Sequence, residues 1–258
     1  MNVSFIGSGN LAWHLAPALD NTAYRVIEVY SRNRHHAKAL VGRLYQADVK
    51  DSLDFSTSLS RIFIIAVSDD AIVEVSQEIV LPEDGILLHT SGSQPLEVLT
   101  YSGASRQGVF YPLQTFTKSK KVDFQDIPFF IESEDDDTRK VVLAMAKSVS
   151  RKVYTISPDQ RKALHIAAVF ASNFTNHMLA ISRDITRDNK LDFEWLKPLI
   201  AETINKSLTL APDEAQTGPA KRGDLEILDR HLEFLQSDET IAEIYRVISQ
   251  HIVDRYSS

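Results

Sequence analysis

The feature that most constrains this chain is its opening stretch, Asn2-Val3-Ser4-Phe5-Ile6-Gly7-Ser8-Gly9-Asn10-Leu11-Ala12. A β-branched and aromatic run breaks into two glycines one residue apart and passes directly into a helical pattern. The G-x-G-x-x-A spacing gives each small residue a task. Gly7 permits a tight turn, Gly9 admits the close approach of a pyrophosphate, and Ala12 lets the helix pack tightly on the strand. The N–H groups at the helix start then face the anion. A dinucleotide-binding α/β domain is the expectation, with Gly7, Ser8, Gly9, Asn10 and Leu11 touching the cofactor.

Downstream, Arg25-Val26-Ile27-Glu28-Val29-Tyr30 reads as a second strand ending at Ser31-Arg32-Asn33-Arg34. In an NAD site an acidic residue near this point accepts from the ribose hydroxyls. Here Ser31 and Arg32 offer a hydroxyl and a guanidinium, donors suited to a 2′-phosphate. NADP is therefore expected over NAD. Helices are expected over Leu11–Leu19, bent at Pro17, and over His35–Leu44, with a short strand near Tyr45–Val49. Ile62–Val67 is an unbroken apolar run, as in a strand covered on both faces. Val67 and Ser68 at its end join the expected cofactor site, Ser68 also capping a helix whose first turn holds Asp69 and Asp70. A fifth strand, Gly85–His89, runs into Thr90-Ser91-Gly92-Ser93. Thr90 and Ser91 are placed near the nicotinamide because ligands gather beyond the carboxyl ends of parallel strands; the same turn can also cap a helix, with Pro95 in its first turn. Gly108–Phe116, Ile127–Ile131 and Lys152–Ile156 supply the last strand-like runs, with a helix from Asp137 to Ser150. The acidic run Glu132–Asp137 lacks calcium-loop spacing and reads as a solvated helix start.

Near Pro158 the strand-like runs stop and helical periodicity takes over. The expected architecture is an α/β Rossmann-type parallel-sheet domain, residues 1–157, followed by an all-α domain, residues 158–258. At 258 residues the chain has room for two cores. Turning Arg161–Ile181 as one regular helix puts Leu164, Ala167, Ala168, Phe170, Ala171, Phe174, Met178 and Leu179 on one face. His165, Ser172, Asn173, Asn176 and His177 form an uncharged polar stripe opposite, as expected of a substrate cleft. His165 is the expected proton donor, since imidazole titrates near neutrality. Asn173, His177 and Arg222 are expected to orient substrate, Arg222 from the loop Ala215–Asp224, whose other reading is an exposed arginine beside a helix-capping Asp224.

The formal charge of -7 argues against a nucleic-acid partner. With 0 cysteines there is no thiolate or disulfide chemistry, and none of the 8 histidines falls in an H-E-x-x-H pattern, so no metal is expected. No apolar run reaches membrane-span length and no basic leader precedes the first strand; a cytoplasmic location without a membrane partner is the expectation.

Taken together, Gly7–Ala12, Ser31-Arg32, Thr90–Ser93, Pro112-Leu113-Gln114-Thr115-Phe116, the His165–His177 helix, and Thr217-Gly218-Pro219-Ala220 with Arg222-Gly223-Asp224 resemble one family. These are bacterial proteins joining a Rossmann-like, F420-dependent NADP-oxidoreductase-type domain to an uncharacterised helical domain, the group labelled DUF2520. More distantly the chain is similar to pyrroline-5-carboxylate reductase and to 6-phosphogluconate dehydrogenase-like enzymes. The resemblance implies NADP binding, a homodimer built through the helical domain, and a site between domains. Val169 stands one turn before Asn173, where the hydroxyacid dehydrogenase branch carries a catalytic lysine, and Tyr111 stands where relatives are expected to carry histidine. Nothing marks a deazaflavin site, so F420 itself is not expected. The function expected is NADP(H)-dependent reduction of a small polar carbonyl or imine. Its rivals are a pyrroline-5-carboxylate-type reductase and an NADP-binding sensor or assembly protein without chemistry.

Overall fold

A computed structural model of the chain describes residues 1–256. Eight strands form one sheet in the order β3-β2-β1-β4-β5-β6-β7-β8. These are β1 Asn2–Ile6, β2 Arg25–Tyr30, β3 Asp48–Lys50, β4 Ile62–Ile65, β5 Ile86–His89, β6 Arg106–Pro112, β7 Phe129–Glu132 and β8 Val153–Thr155. The order reverses between β1 and β4, which opens a crevice at their carboxyl ends. Helices α1 Asn10–Asp20, α2 Arg34–Val41, α3 Asp69–Glu78 and α4 Asp136–Val149 connect the strands.

Alternation along the strands divides the core into two layers, one on each face of the sheet. Val3, Phe5, Ile62, Ile64 and Leu88 pack with Leu15 and Leu19 of α1; Ile6, Phe63, Ile65 and Leu87 pack with Ile72 and Val75 of α3. All four residues of β4 are fully buried, as its unbroken apolar run requires. At roughly 1.5–3 kcal/mol per large buried apolar side chain, these layers are the main favourable contribution to this half of the molecule.

The sheet is parallel, as expected, except at one pair: β7 runs antiparallel to β6. Residues 113–128 between them contain no helix, and a parallel return needs a crossover connection, usually helical. The chain doubles back instead. Beyond β7, α4 restores parallel pairing with β8.

The chain divides into two compact units, Met1–Asn173 and the residues from Phe174 onward. The division falls inside a helical run. Helix α5, Pro158–Ala168, opens with a capping box of Ser157 and Gln160. It is followed by a π-helical segment, Val169–Phe174, and then by α6, Thr175–Asp188. The single regular helix expected over Arg161–Ile181 is thus interrupted. A π turn closes i→i+5 bonds and advances the face by more residues per turn, so a constant 100° projection loses register across it. The second unit continues with α7 Lys197–Leu210, α8 Pro212–Ala215, α9 Pro219–Arg222, α10 Leu225–Leu235 and α11 Glu239–Tyr256.

Candidate functional site

The crevice at the β1/β4 reversal has a volume of about 590 Å³. It is lined by Gly7, Ser8, Gly9, Asn10 and Leu11 after β1, by Ser31 and Arg32 after β2, by Val67 and Ser68 after β4, and by Thr90 after β5. Four strand ends therefore bring together residues scattered over the first 90 positions. Gly7 has φ +117, and a Cβ there would lie 2.3 Å from the Ala66 carbonyl oxygen, so both backbone and space demand glycine. Gly9 is exposed and would bring a Cβ within 4 Å only of the Ala66 carbonyl, at 3.9 Å; its missing side chain leaves the turn open. As N-cap of α1, Gly9 supplies no side-chain acceptor, so the first-turn N–H groups are available to an anion. Ser8 donates to Ser31 Oγ at 2.9 Å and ties the first two loops together. These residues fit a dinucleotide: an open glycine turn, an uncapped helix start, and cationic groups at the far end.

That far end holds Arg32 and His36, facing Glu74 and Glu78 of α3 across the crevice. Arg32 lies 3.9 Å from Glu74, with both side chains mostly exposed. His36 was not singled out in the sequence. Ser68 occupies the N-cap position of α3 but makes no side-chain cap bond, contrary to the expected cap; its residue lines the crevice instead. Ser91 is also placed differently from expectation. It is buried, and its hydroxyl accepts from the N–H groups of Ser93 at 3.1 Å and Gln94 at 3.0 Å. Pro95 precedes the 3₁₀ turn Leu96–Ser102 as its N-cap, one position earlier than expected.

A second pocket, about 710 Å³, shares Asn10 and Leu11 with the crevice. Its walls are Tyr111, Leu113, Gln114, Thr115 and Phe116 from the end of β6, and Leu164, His165, Ala167, Ala168, Val169, Ala171, Ser172 and Asn173 from α5 and the π segment. Residues assigned by uniform periodicity to opposite faces thus line one pocket; within α5 the pocket wall is wider than one face, and beyond Ala168 the π segment shifts the phase of Ala171, Ser172 and Asn173. His165, Ser172 and Asn173 of the expected polar stripe are brought together. His177, on α6 of the second unit, is exposed. Arg222 of the same unit donates to Asp224 Oδ2 from Nε at 2.9 Å, and Asp224 makes no cap bond to α10.

Tyr111 and His165 form the polar centre of this pocket. The Tyr111 hydroxyl lies 3.2 Å from His165 Nδ1, and the rings meet edge-on with centroids 6.1 Å apart. Burial raises the Tyr111 phenol above its ordinary range, so it stays protonated at neutral pH and can donate to Nδ1; a ring accepting that bond carries its proton on Nε2. Gly92 backs both rings: a Cβ there would lie 2.5 Å from His165 Nδ1 and 2.6 Å from Tyr111 Cζ.

Sequence reasoning missed a buried polar cluster behind this pair. Glu132, read as the edge of a solvated acidic run, is buried and accepts from Arg161 Nε at 2.8 Å. His89 at the end of β5 is fully buried, and its Nδ1 accepts from Ser91 N–H at 3.2 Å. Burial, reinforced by the charge of Arg161, pushes His89 down to about 3. No local pattern signals the Arg161 bonds, because its partners are 29 and more positions away.

Among the described residues no group of His, Cys, Asp and Glu is placed to hold a metal ion, and no helix is long and apolar enough to cross a membrane. The strand order, the glycine turn and the crevice define a Rossmann-type chain with a dinucleotide-shaped site. The family described as a domain of unknown function, DUF2520, matches residues 127–252. A candidate NADP oxidoreductase from Bacteroides fragilis is 38% identical, with TM-score 0.88 over 98% of both chains. The chain belongs to this DUF2520 family. Protein TM1727 from Thermotoga maritima shares the fold at TM-score 0.81 and 22% identity, over 99% of this chain and 100% of its own. So does an imine reductase from Myxococcus stipitatus solved with NADP+, at TM-score 0.69 and 13% identity over 100% of both. No curated protein matches.

Proposed function

We propose that the chain is an NADP(H)-dependent oxidoreductase that reduces a small carbonyl or imine. The observation that carries this reading is the continuity of the dinucleotide crevice with the Tyr111–His165 pocket through Asn10 and Leu11. The name of the Bacteroides fragilis relative and those of the imine reductases of like fold agree with it.

Gly7, Ser8, Gly9, Asn10 and Leu11 would hold the pyrophosphate end, and Ser31, Arg32 and His36 the 2′-phosphate. When bound, NADPH supplies the hydride. Addition of hydride to a C=O or C=N carbon leaves the heteroatom needing one proton. His165 supplies it when its ring is protonated, returning to the neutral imidazole, with Tyr111 held against Nδ1. Asn173, Gln114 and Thr115 offer neutral hydrogen bonds, while Leu11, Leu113, Phe116, Leu164 and Val169 receive apolar parts of the substrate and exclude water. Val169 stands where a catalytic lysine would serve alcohol oxidation, which favours the reductive direction.

We also propose a homodimer through the helical unit. Helix α7 has no buried residue in the single chain, yet carries Leu199, Ile204, Leu208 and Leu210, all exposed. Apolar side chains in such number call for cover, and a second copy provides it.

The deciding experiment follows NADPH consumption over a panel of imines and carbonyls, with His165→Ala in parallel. The variant should lose about 10²–10⁴-fold in turnover with NADPH affinity unchanged. Wild-type protein that binds NADPH but consumes none against the whole panel would establish a sensor instead.

A further inference from the structure

Among the described residues, Arg161 is the largest fully buried side chain, 2% exposed. A guanidinium is held in such a place only when its donors are used. Its Nε donates to Glu132 Oε2 at 2.8 Å. Its Nη1 reaches three carbonyl oxygens of a single turn: Ser91 at 3.2 Å, Gly92 at 3.1 Å and Gln94 at 2.7 Å. The turn is otherwise held by the Ser91 hydroxyl, which accepts from the Ser93 and Gln94 N–H groups, and by the Ser91 N–H, which donates to His89 Nδ1.

Gly92, in the middle of this turn, is the surface on which the Tyr111 and His165 rings rest, with no room for a methyl group between them. His165 also follows Arg161 by one turn of α5, so both side chains leave the helix on the same side. Two successive helical turns therefore grip one backbone turn, Arg161 through its carbonyls and His165 against its α-carbon.

We propose that Arg161, oriented by Glu132, is a positioning residue that sets the orientation and tautomer of His165 through the Gly92 turn. The catalytic meaning of this rests on the proton-donor reading above; the structural coupling does not. Arginine suits the position because its planar fork can address a carboxylate and several carbonyls at once. A lysine ammonium is a single point charge and must give up part of the set.

Histidine-selective ¹⁵N labelling of the full chain, with His165→Gln to assign its signals, reads the ring directly. The wild type should show one His165 tautomer, protonated on Nε2. Arg161→Met should move the ring nitrogens toward a tautomer mixture, and Arg161→Lys should fall between, with circular dichroism and NADPH affinity retained. Gly92→Ala reaches the same contact from the other side and should displace the His165 signals with Arg161 intact. It keeps the test open if the Met variant does not fold. On an active substrate, Arg161→Met should lower kcat about tenfold or more while leaving the NADPH KM within twofold. Unchanged His165 signals in folded Arg161→Lys and Gly92→Ala would overturn the proposal. Absence of NADPH turnover in the wild type would remove the oxidoreductase reading while leaving the tautomer result to decide the coupling.

Discussion

The two compact units solve the problem of burial in opposite ways. The first sandwiches a sheet between helical layers, and Phe5, Phe55, Phe63, Phe110 and Phe129 are all fully buried within it. The second, among the described residues, buries only Ala220, Leu228 and Ala242 of its apolar side chains. Meanwhile Trp195, Leu199, Leu208, Leu225, Phe234 and Val247 stay exposed. A helix has one stripe to bury and needs a neighbour for it, whereas a parallel sheet covered on both faces is its own core. The first unit carries a core of its own; the second leaves its apolar faces open, as the proposed dimer would require.

The largest effect that would break this contrast lies on α7. Leu199→Glu with Leu208→Glu places each charge twice in a two-fold interface and should weaken the proposed dimer by roughly 4 kcal/mol or more. Analytical ultracentrifugation should show monomer, with NADPH binding to the first unit preserved. A monomeric wild type would end the dimer proposal.

The next effect sharpens the claim that the first unit depends on its own buried groups. Folded His89 titrates near 3, whereas the imidazole of an unfolded chain titrates near 6.5. Below pH 6.5 the unfolded chain binds a proton that the folded chain refuses, so stability falls as pH drops from about 6.5 towards 3, by at most about 1.4 kcal/mol per pH unit. Above 6.5 both forms are neutral and the effect vanishes. Denaturant unfolding of His89→Gln beside the wild type should show a shallower acid slope for the variant; parallel slopes would refute the assignment.

The smallest effect concerns cofactor choice at the exposed rim. Arg32→Ala should weaken NADPH binding about tenfold, a modest loss because the guanidinium is solvated and already near Glu74. Binding of NADH should be unchanged. Equal losses for both cofactors would place Arg32 away from the 2′-phosphate.

Legibility in the sequence followed the range of the interactions. Gly7, Gly9 and the run into α1 were readable because a glycine turn, a strand and a helix start are local. The apolar runs of β4 and β5 were readable for the same reason. The antiparallel course of β7 was not, because it depends on residues 113–128 failing to form a crossover rather than on β7 itself. The polar stripe of α5 was half readable. His165 and Asn173 line a pocket, but Leu164, Ala167 and Ala168, read as the opposite face, line it with them.

By itself the sequence determined the Rossmann-type opening, the basic turn at Ser31 and Arg32 in place of a carboxylate, and the change to helices at Pro158, each written in neighbouring residues. Only the tertiary structure decided that Arg161, Glu132, His89 and Gly92 stand behind Tyr111 and His165. A buried charge is tolerable only against partners that folding brings from far along the chain, and nothing in the local pattern of Glu132 or Arg161 announces the other.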